Sequence, residues 1–221
     1  MRGPIKNVIF DCDGTILDTF KLIEQVVIET FKIIKPSYHM TEEEAHTFFG
    51  PFLNDTFKKY FDKQEDIDNA VEVYRKLCEE LTPRYVRAYD GIKEMLETLK
   101  QKGYKIAMVS NKVTKAIIQG LDLCNITNYF DYIVGAEKLK QAKPNPDGIY
   151  QVLDHFNAPD TTLVGDTLID MNTAINAKVT FIGVTWCQVS EEKFKSHGAK
   201  FVVNNPLDIV TILEKKYELC E

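Results

Sequence analysis

The sequence predicts an α/β protein, a doubly wound parallel sheet of the Rossmann-like kind with an inserted all-helical domain. Three observations predict it. Six short apolar runs, at 7–10, 105–109, 132–134, 162–164, 180–184 and 201–203, lack the polar alternation of a half-exposed strand, as strands do when helices cover both sheet faces. From residue 105 onward amphipathic stretches, such as 112–123, 146–156 and 206–217, separate these runs, and strands alternating with helices build parallel sheets. Finally, residues 11–104 contain no convincing strand at all.

That gap defines the second domain. Residues 17–34, 52–61, 67–81 and 91–100 show helical periodicity and good helix formers. Only the last stretch is needed to cross over to the strand at 105–109. A structureless loop filling the rest is implausible in a compact chain. Residues 17–85 therefore read as a helical domain inserted into a core made of 1–16 and 86–221. Pro83 and the turn Tyr89-Asp90-Gly91 mark the return to that core, and Gly50-Pro51 marks a break between helices of the insertion. Phe48, Phe49, Phe52, Phe57, Tyr60 and Phe61 read as the insertion's own apolar core.

Bulk properties exclude several classes. The 221 residues are 44% apolar and 27% charged, with a net charge of −6 and no basic block, so the chain lacks a nucleic-acid footprint. No stretch reads as a signal peptide or membrane span. The five cysteines are scattered without a CxxC pair, which suits reduced thiols better than a disulfide frame or a zinc site. Cys12 reads as core packing. His39, His46, His155 and His197 show no ligand spacing. The expectation is a cytoplasmic enzyme, monomer or homodimer, with no membrane or nucleic-acid partner.

Ligands of open parallel sheets bind beyond the carboxyl ends of the strands. The first strand ends in Asp11-Cys12-Asp13-Gly14-Thr15 and the second in Ser110-Asn111. Lys143 follows the third, in Ala142-Lys143-Pro144-Asn145-Pro146, and the fourth ends in Gly165-Asp166 with Asp170 one helical turn later. Singly these are ordinary: Ser110-Asn111 and Asp170 suit helix caps, and Lys112 reads as a solvated first-turn lysine ahead of its alternative, a group that attracts a substrate carboxylate or second phosphate. Together they bring carboxylates, a hydroxyl and a lysine to one sheet edge. Asp11 and Asp13, two apart in extended backbone, share a face, so one can attack phosphorus while the other handles protons. A hard divalent ion such as Mg²⁺ suits Asp11, Asp166 and a backbone carbonyl. Ser110 and Lys143 can hold phosphate oxygens.

This ordered set, Asp11-x-Asp13-Gly14-Thr15, Ser110, Lys143-Pro144 and Gly165-Asp166-x-x-x-Asp170, resembles the haloacid dehalogenase-like hydrolase superfamily, with the insertion matching its helical cap. The resemblance implies that Asp11 is the nucleophile and a metal ligand. It implies that Asp13 is the general acid–base, with its carbonyl on Mg²⁺, and that Ser110 and Lys143 bind the phosphoryl group. Asp166 would ligate Mg²⁺ and Asp170 would support it, while Asn111, Gly50 and Pro51 would lie against the substrate. Asp at 13 favours phosphoryl transfer over dehalogenation, because a phosphate ester's leaving group needs a proton and a halide does not. Phe49-Gly50-Pro51-Phe52-Leu53, Ser110-Asn111-Lys112 and Gly183-Val184-Thr185-Trp186 are similar to the phosphoglycolate-phosphatase group, and also to relatives that hydrolyse pyrophosphate. Cys187 stands where that group usually has glycine. The implied activity is hydrolysis of a small phosphorylated metabolite through an aspartyl-phosphate. Pyrophosphatase, nucleotide or sugar phosphatase and phosphomutase are its rivals within the superfamily, and a receiver-like phosphorylation switch is the rival of another class.

Overall fold

All six apolar runs form strands in the computed structural model, which describes residues 6–218 (for 217 and 218, the backbone only). In chain order the strands are β1 (Asn7–Phe10), β2 (Leu17–Asp18), β3 (Arg87–Ala88), β4 (Lys105–Val109), β5 (Tyr132–Val134), β6 (Thr162–Gly165), β7 (Thr180–Val184) and β8 (Phe201–Val203). Six of them make one parallel sheet in the order β5-β4-β1-β6-β7-β8. β1 is thus central, and the winding changes side across it, where a crevice opens at the carboxyl edge of such sheets.

The helices are α1 (Phe20–Ile34), α2 (Glu42–His46), α3 (Leu53–Phe57), α4 (Gln64–Tyr85), α5 (Ile92–Gln101), α6 (Thr114–Leu123), α7 (Asp147–Phe156), α8 (Leu168–Ala177), α9 (Glu191–Ser196) and α10 (Pro206–Glu218). Alternation along β1 sends Val8 and Phe10 into a cluster with Leu96 of α5, Ile117 of α6 and Leu213 of α10. Ile9 joins the opposite cluster, with Val152 of α7, Met171 of α8 and Phe194 of α9. Both sheet faces are therefore covered, which explains why the strands lacked polar alternation.

Between β2 and β3 stand α1 to α4. Their core centres on Phe31, fully buried and ringed by Tyr38, Phe48, Phe57, Tyr60 and Phe61 at centroid separations of 5.0–6.2 Å. The spacing Ile23, Val27, Phe31 puts one face of α1 into this cluster. Leu22 and Val26, on the adjoining face, pack into the sheet's own cluster instead, so α1 bridges the two.

The structure differs from the sequence expectation at several local points. Residues 17 and 18 are not helical but form β2, which pairs antiparallel with β3 through Leu17–Ala88 and Asp18–Arg87. Such two-residue strands carry no detectable period. α2 was unread, although Thr41 and Glu44 make a reciprocal capping box at its start. Phe52 does not join the aromatic core; it lines a cavity that Asp11, Ser110 and Lys143 also line. Nor does Pro83 end α4, which continues to Tyr85. The Glu79 carbonyl that a residue-83 amide would have bonded instead accepts from Gln119 Nε2 at 2.9 Å, tying α4 to α6.

Candidate active site

Strand register builds the site. Phe10 pairs with Met108 on one side and Val164 on the other. The residues that follow, Asp11, Ser110 and Asp166, therefore leave the sheet at nearly one level. All three are buried, as are Lys143 and Asp170.

Lys143 Nζ donates to Asp11 Oδ1 and to Asp170 Oδ1, each at 2.6 Å. Burial favours its neutral amine, but the two carboxylates outweigh that and hold its proton more tightly than usual. One lysine cannot balance three buried acids. Burial first, then Asp170 and Asp13, push Asp11 up to about 7 against the pull of Lys143. Burial, with Asp170 and Asp11, also raises Asp166 well above the carboxylate range.

The loop after β1 is shaped around Asp166. Gly14 adopts a left-handed φ of +80°, and a Cβ there would lie 2.2 Å from Asp166 Oδ2, so only glycine fits. Thr15 Oγ1 donates to Asp166 Oδ1 at 3.0 Å, while Trp186 Nε1 holds the Thr15 carbonyl at 3.1 Å. Asp166 Oδ2 is buried with no hydrogen-bond partner, although the Cys187 thiol lies beside that carboxyl. The departure from glycine at 187 thus touches the acidic cluster. Cys12, by contrast, is fully buried in the sheet's core.

Ser110 does not cap α6, which begins only at Thr114 with Val113 before it. Its Oγ accepts from the Lys112 amide at 3.3 Å. Asp170 is not the cap of α8 but the third residue of its first turn. Thr167 is the cap, and the two exchange hydrogen bonds reciprocally. This leaves Asp170 Oδ1 free for Lys143. The Asn111 side chain is engaged with backbone: Oδ1 accepts from the Lys143 amide at 2.8 Å, and Nδ2 donates to the Gly50 carbonyl at 3.1 Å. Asn111 thus ties the Gly50-Pro51 loop to the sheet edge, and both loop residues line the cavity.

Lys112 departs most from its reading as a solvated lysine. Its side chain is only 13% exposed, and Nζ donates to Asp13 Oδ1 at 2.7 Å. Burial opposes its charge, but Asp13 more than compensates and raises its affinity for the proton. Nothing in local sequence signals a partner 99 positions away.

These groups open onto one cavity of about 280 Å³, lined by Asp11, Asp13, Ser110, Lys112 and Lys143, by Phe52 and Leu53, and by Tyr74, Arg75 and Cys78 of α4. The α4 contribution was missed because its cavity-facing residues share an ordinary amphipathic helix.

The residues fit a hard cation. Asp11, Asp166 and Asp170 present oxygens within 4.8 Å of one another, the one such group among the described residues. The orphaned Asp166 Oδ2 supplies a buried carboxyl oxygen with no hydrogen-bond partner, and an all-oxygen set suits Mg²⁺.

A model of the family described as haloacid dehalogenase-like hydrolase matches residues 8–184, spanning every candidate residue above. The chain belongs to that family. This haloacid dehalogenase-like hydrolase is 29% identical over 215 residues to a Listeria monocytogenes protein named Pyrophosphatase PpaX, covering 96% of this chain and 98% of the relative. The crystal structure of a predicted phosphatase from Clostridium acetobutylicum is 27% identical, with a TM-score of 0.82, covering 98% and 100%. That of a predicted phosphoglycolate phosphatase from Haemophilus somnus is 22% identical, with a TM-score of 0.85 over 94% and 97%, and bears on the fold alone. Among the described residues no helix is long and apolar enough to cross a membrane.

Proposed function

We propose that this hydrolase is a phosphatase that takes the phosphoryl group of a small phosphomonoester, phosphoglycolate-like in size, onto Asp11. The observation that carries the reading is the buried contact of Asp11 with Lys143 on the wall of a cavity that Asp13 also lines. An Asp11 carboxylate oxygen attacks phosphorus and the bond to the leaving oxygen breaks. Asp13, two residues on and less buried, gives that oxygen a proton. Water then attacks the same phosphorus and returns its proton to Asp13. Inorganic phosphate leaves and Asp11 is restored. Ser110 and the Lys143 ammonium hold the non-bridging oxygens. Mg²⁺ bound by Asp11, Asp166 and the Asp13 carbonyl would neutralise charge on the transferring group. Asp170 orients Lys143 through its free oxygen.

In this reading residues 17–85 act as a cap, with β2 and β3 as the paired strands joining it to a core of 1–16 and 86–221. The Gly50-Pro51 loop shields Asp13 from bulk water. The pyrophosphatase reading is the second one, favoured by the relatives named for that activity. The test is phosphate release from 2-phosphoglycolate, pyrophosphate and phenyl phosphate with Mg²⁺ present. Asp11→Asn should abolish turnover of all three while the protein still folds. Residual turnover in that variant beyond a thousandth of the parent refutes Asp11 as nucleophile.

A further inference from the structure

The cavity is larger than the reacting end needs, and its far walls carry Lys112, Arg75 and the paired Lys115 and Glu79. Lys112 is largely withdrawn from solvent, its side chain 13% exposed, and lies close to Tyr74 and Cys78 of α4. An ammonium has three N–H donors, yet Nζ makes a single hydrogen bond to the described residues, to Asp13. A cation largely withdrawn from water that leaves donors unmatched on a cavity wall is an incomplete arrangement. Arg75, one residue along α4 from Tyr74, lines the same cavity and forms no ion pair or hydrogen bond with any described residue. Lys115, the remaining lysine on these walls apart from Lys143, is occupied by Glu79 at 2.7 Å. Phe52, Leu53, Val113 and Ala116 supply apolar surface between these charges.

We propose that Lys112 and Arg75 form a second-anion subsite, so that the preferred substrate is a phosphate whose leaving group carries a carboxylate or phosphoryl group of its own. This rests on the phosphatase reading above. Lys112 Nζ lies 2.7 Å from the Asp13 carboxylate, and that carboxylate must come within hydrogen-bond reach of the leaving oxygen, about 3 Å. Allowing a further hydrogen bond of about 3 Å from Nζ to the second anion, that anion sits no more than about 9 Å from the leaving oxygen. Phosphoglycolate and pyrophosphate both meet this condition, and simple neutral esters do not. Lys112 acts as a specificity residue, attracting the anion with donors that Asp13 leaves free, and Arg75 meets the anion from the α4 side.

The test is the selectivity ratio: kcat/KM for 2-phosphoglycolate, and separately for pyrophosphate, over that for phenyl phosphate. It is measured in the parent, Lys112→Met, Lys112→Arg and Arg75→Met, with melting curves to establish folding. Losing a charged hydrogen-bond partner should lower at least one ratio about 10- to 100-fold in Lys112→Met, chiefly through KM. Lys112→Arg should recover most of it. Arg75 is exposed, so its replacement does not threaten the fold and gives an independent reading, with an expected loss of about 3- to 10-fold. The compound whose ratio falls identifies the anion as carboxylate or phosphoryl. Unchanged ratios in both Arg75→Met and any folded Lys112→Met overturn the subsite and leave Asp11 chemistry intact. Turnover that survives Asp11→Asn strikes instead at the phosphatase reading.

Discussion

Asp166→Asn perturbs the site in a way whose sign follows from the geometry. In the metal-free protein three buried carboxylates share one ammonium, and Asp166 Oδ2 has no donor. A buried acceptor left unsatisfied costs about 1–3 kcal/mol. An asparagine amide would keep the shape, remove a like charge and offer N–H donors to Asp11 and Asp170. Asp166→Asn should therefore stabilise the metal-free protein by about 2 kcal/mol, which for a chain of this size is roughly 4–8 °C in Tm. The pH dependence has a defined direction. Asp11 is raised from 3.8 to about 7 and Asp166 is raised as well, both chiefly by burial. Between those values the folded state keeps protons that the unfolded chain has lost, so stability falls as pH rises from about 4 through 7. The advantage of the variant should thus be small near pH 4 and larger at pH 8. Mg²⁺ should reverse the ranking, because a ligand at a hundred times its Kd adds about 2.7 kcal/mol to a protein that binds it and nothing to one that does not. Thermal unfolding in EDTA and in Mg²⁺, at pH 5 and pH 8, reads all of this. A variant with a lower Tm than the parent in EDTA at pH 8, or with an undiminished Mg²⁺ response, refutes the reasoning.

Three further outcomes follow from single contacts. Gly165→Ala would place Cβ 2.4 Å from that of Asp170; it should cost about 1–3 kcal/mol by overpacking and lower kcat more than tenfold with little change in KM, by shifting Asp170 and Lys143. Phe31→Ala empties the centre of the aromatic cluster and should lower the unfolding free energy by about 3–5 kcal/mol, seen as a drop in denaturant midpoint. Asn111→Ala removes the link between Lys143 and the Gly50 carbonyl; limited proteolysis near residues 50–51 should accelerate while the melting temperature changes little.

The sheet was legible because burial on both faces writes itself into each strand as an uninterrupted apolar run, and the register of β1 with β4 and β6 needed nothing else to align Asp11, Ser110 and Asp166. Lys143 was legible only through its company, since Ala142-Lys143-Pro144 alone says nothing of the two carboxylates it joins. What escaped depended on contacts between distant segments. Lys112 is sequence-adjacent to Asn111 but owes its burial to α4 and its charge partner to the loop after β1. Phe52 looked like one more aromatic of the helical core, yet the turn at Gly50, with φ of +98°, leaves it on the cavity instead. β2 and β3 are too short to show a period and exist because each supplies the other's hydrogen bonds.

These misses share a cause that bears on how the two halves of the molecule work together. Every group in the acidic cluster comes from the sheet edge, so chemistry was recoverable from residues that follow strands. The wall that the proposed leaving group would face is built between α4 and α6, two helices brought together by the Lys115–Glu79 pair and by Gln119 on the carbonyl that Pro83 leaves vacant. That second contact converts a helix-breaking residue into a fixed seam, and Tyr74, Arg75 and Cys78 lie one and two turns before it on α4. On the other side Phe49 approaches the Gly14 position closely enough that a Cβ there would meet its ring at 2.8 Å. The helical segment therefore presses on the loop after β1 at Gly14 while holding the cavity wall at α4. A change of leaving group is accordingly most readily accommodated along α4, where substitutions such as Arg75→Met alter the wall without moving Asp11, Asp13 or Asp166.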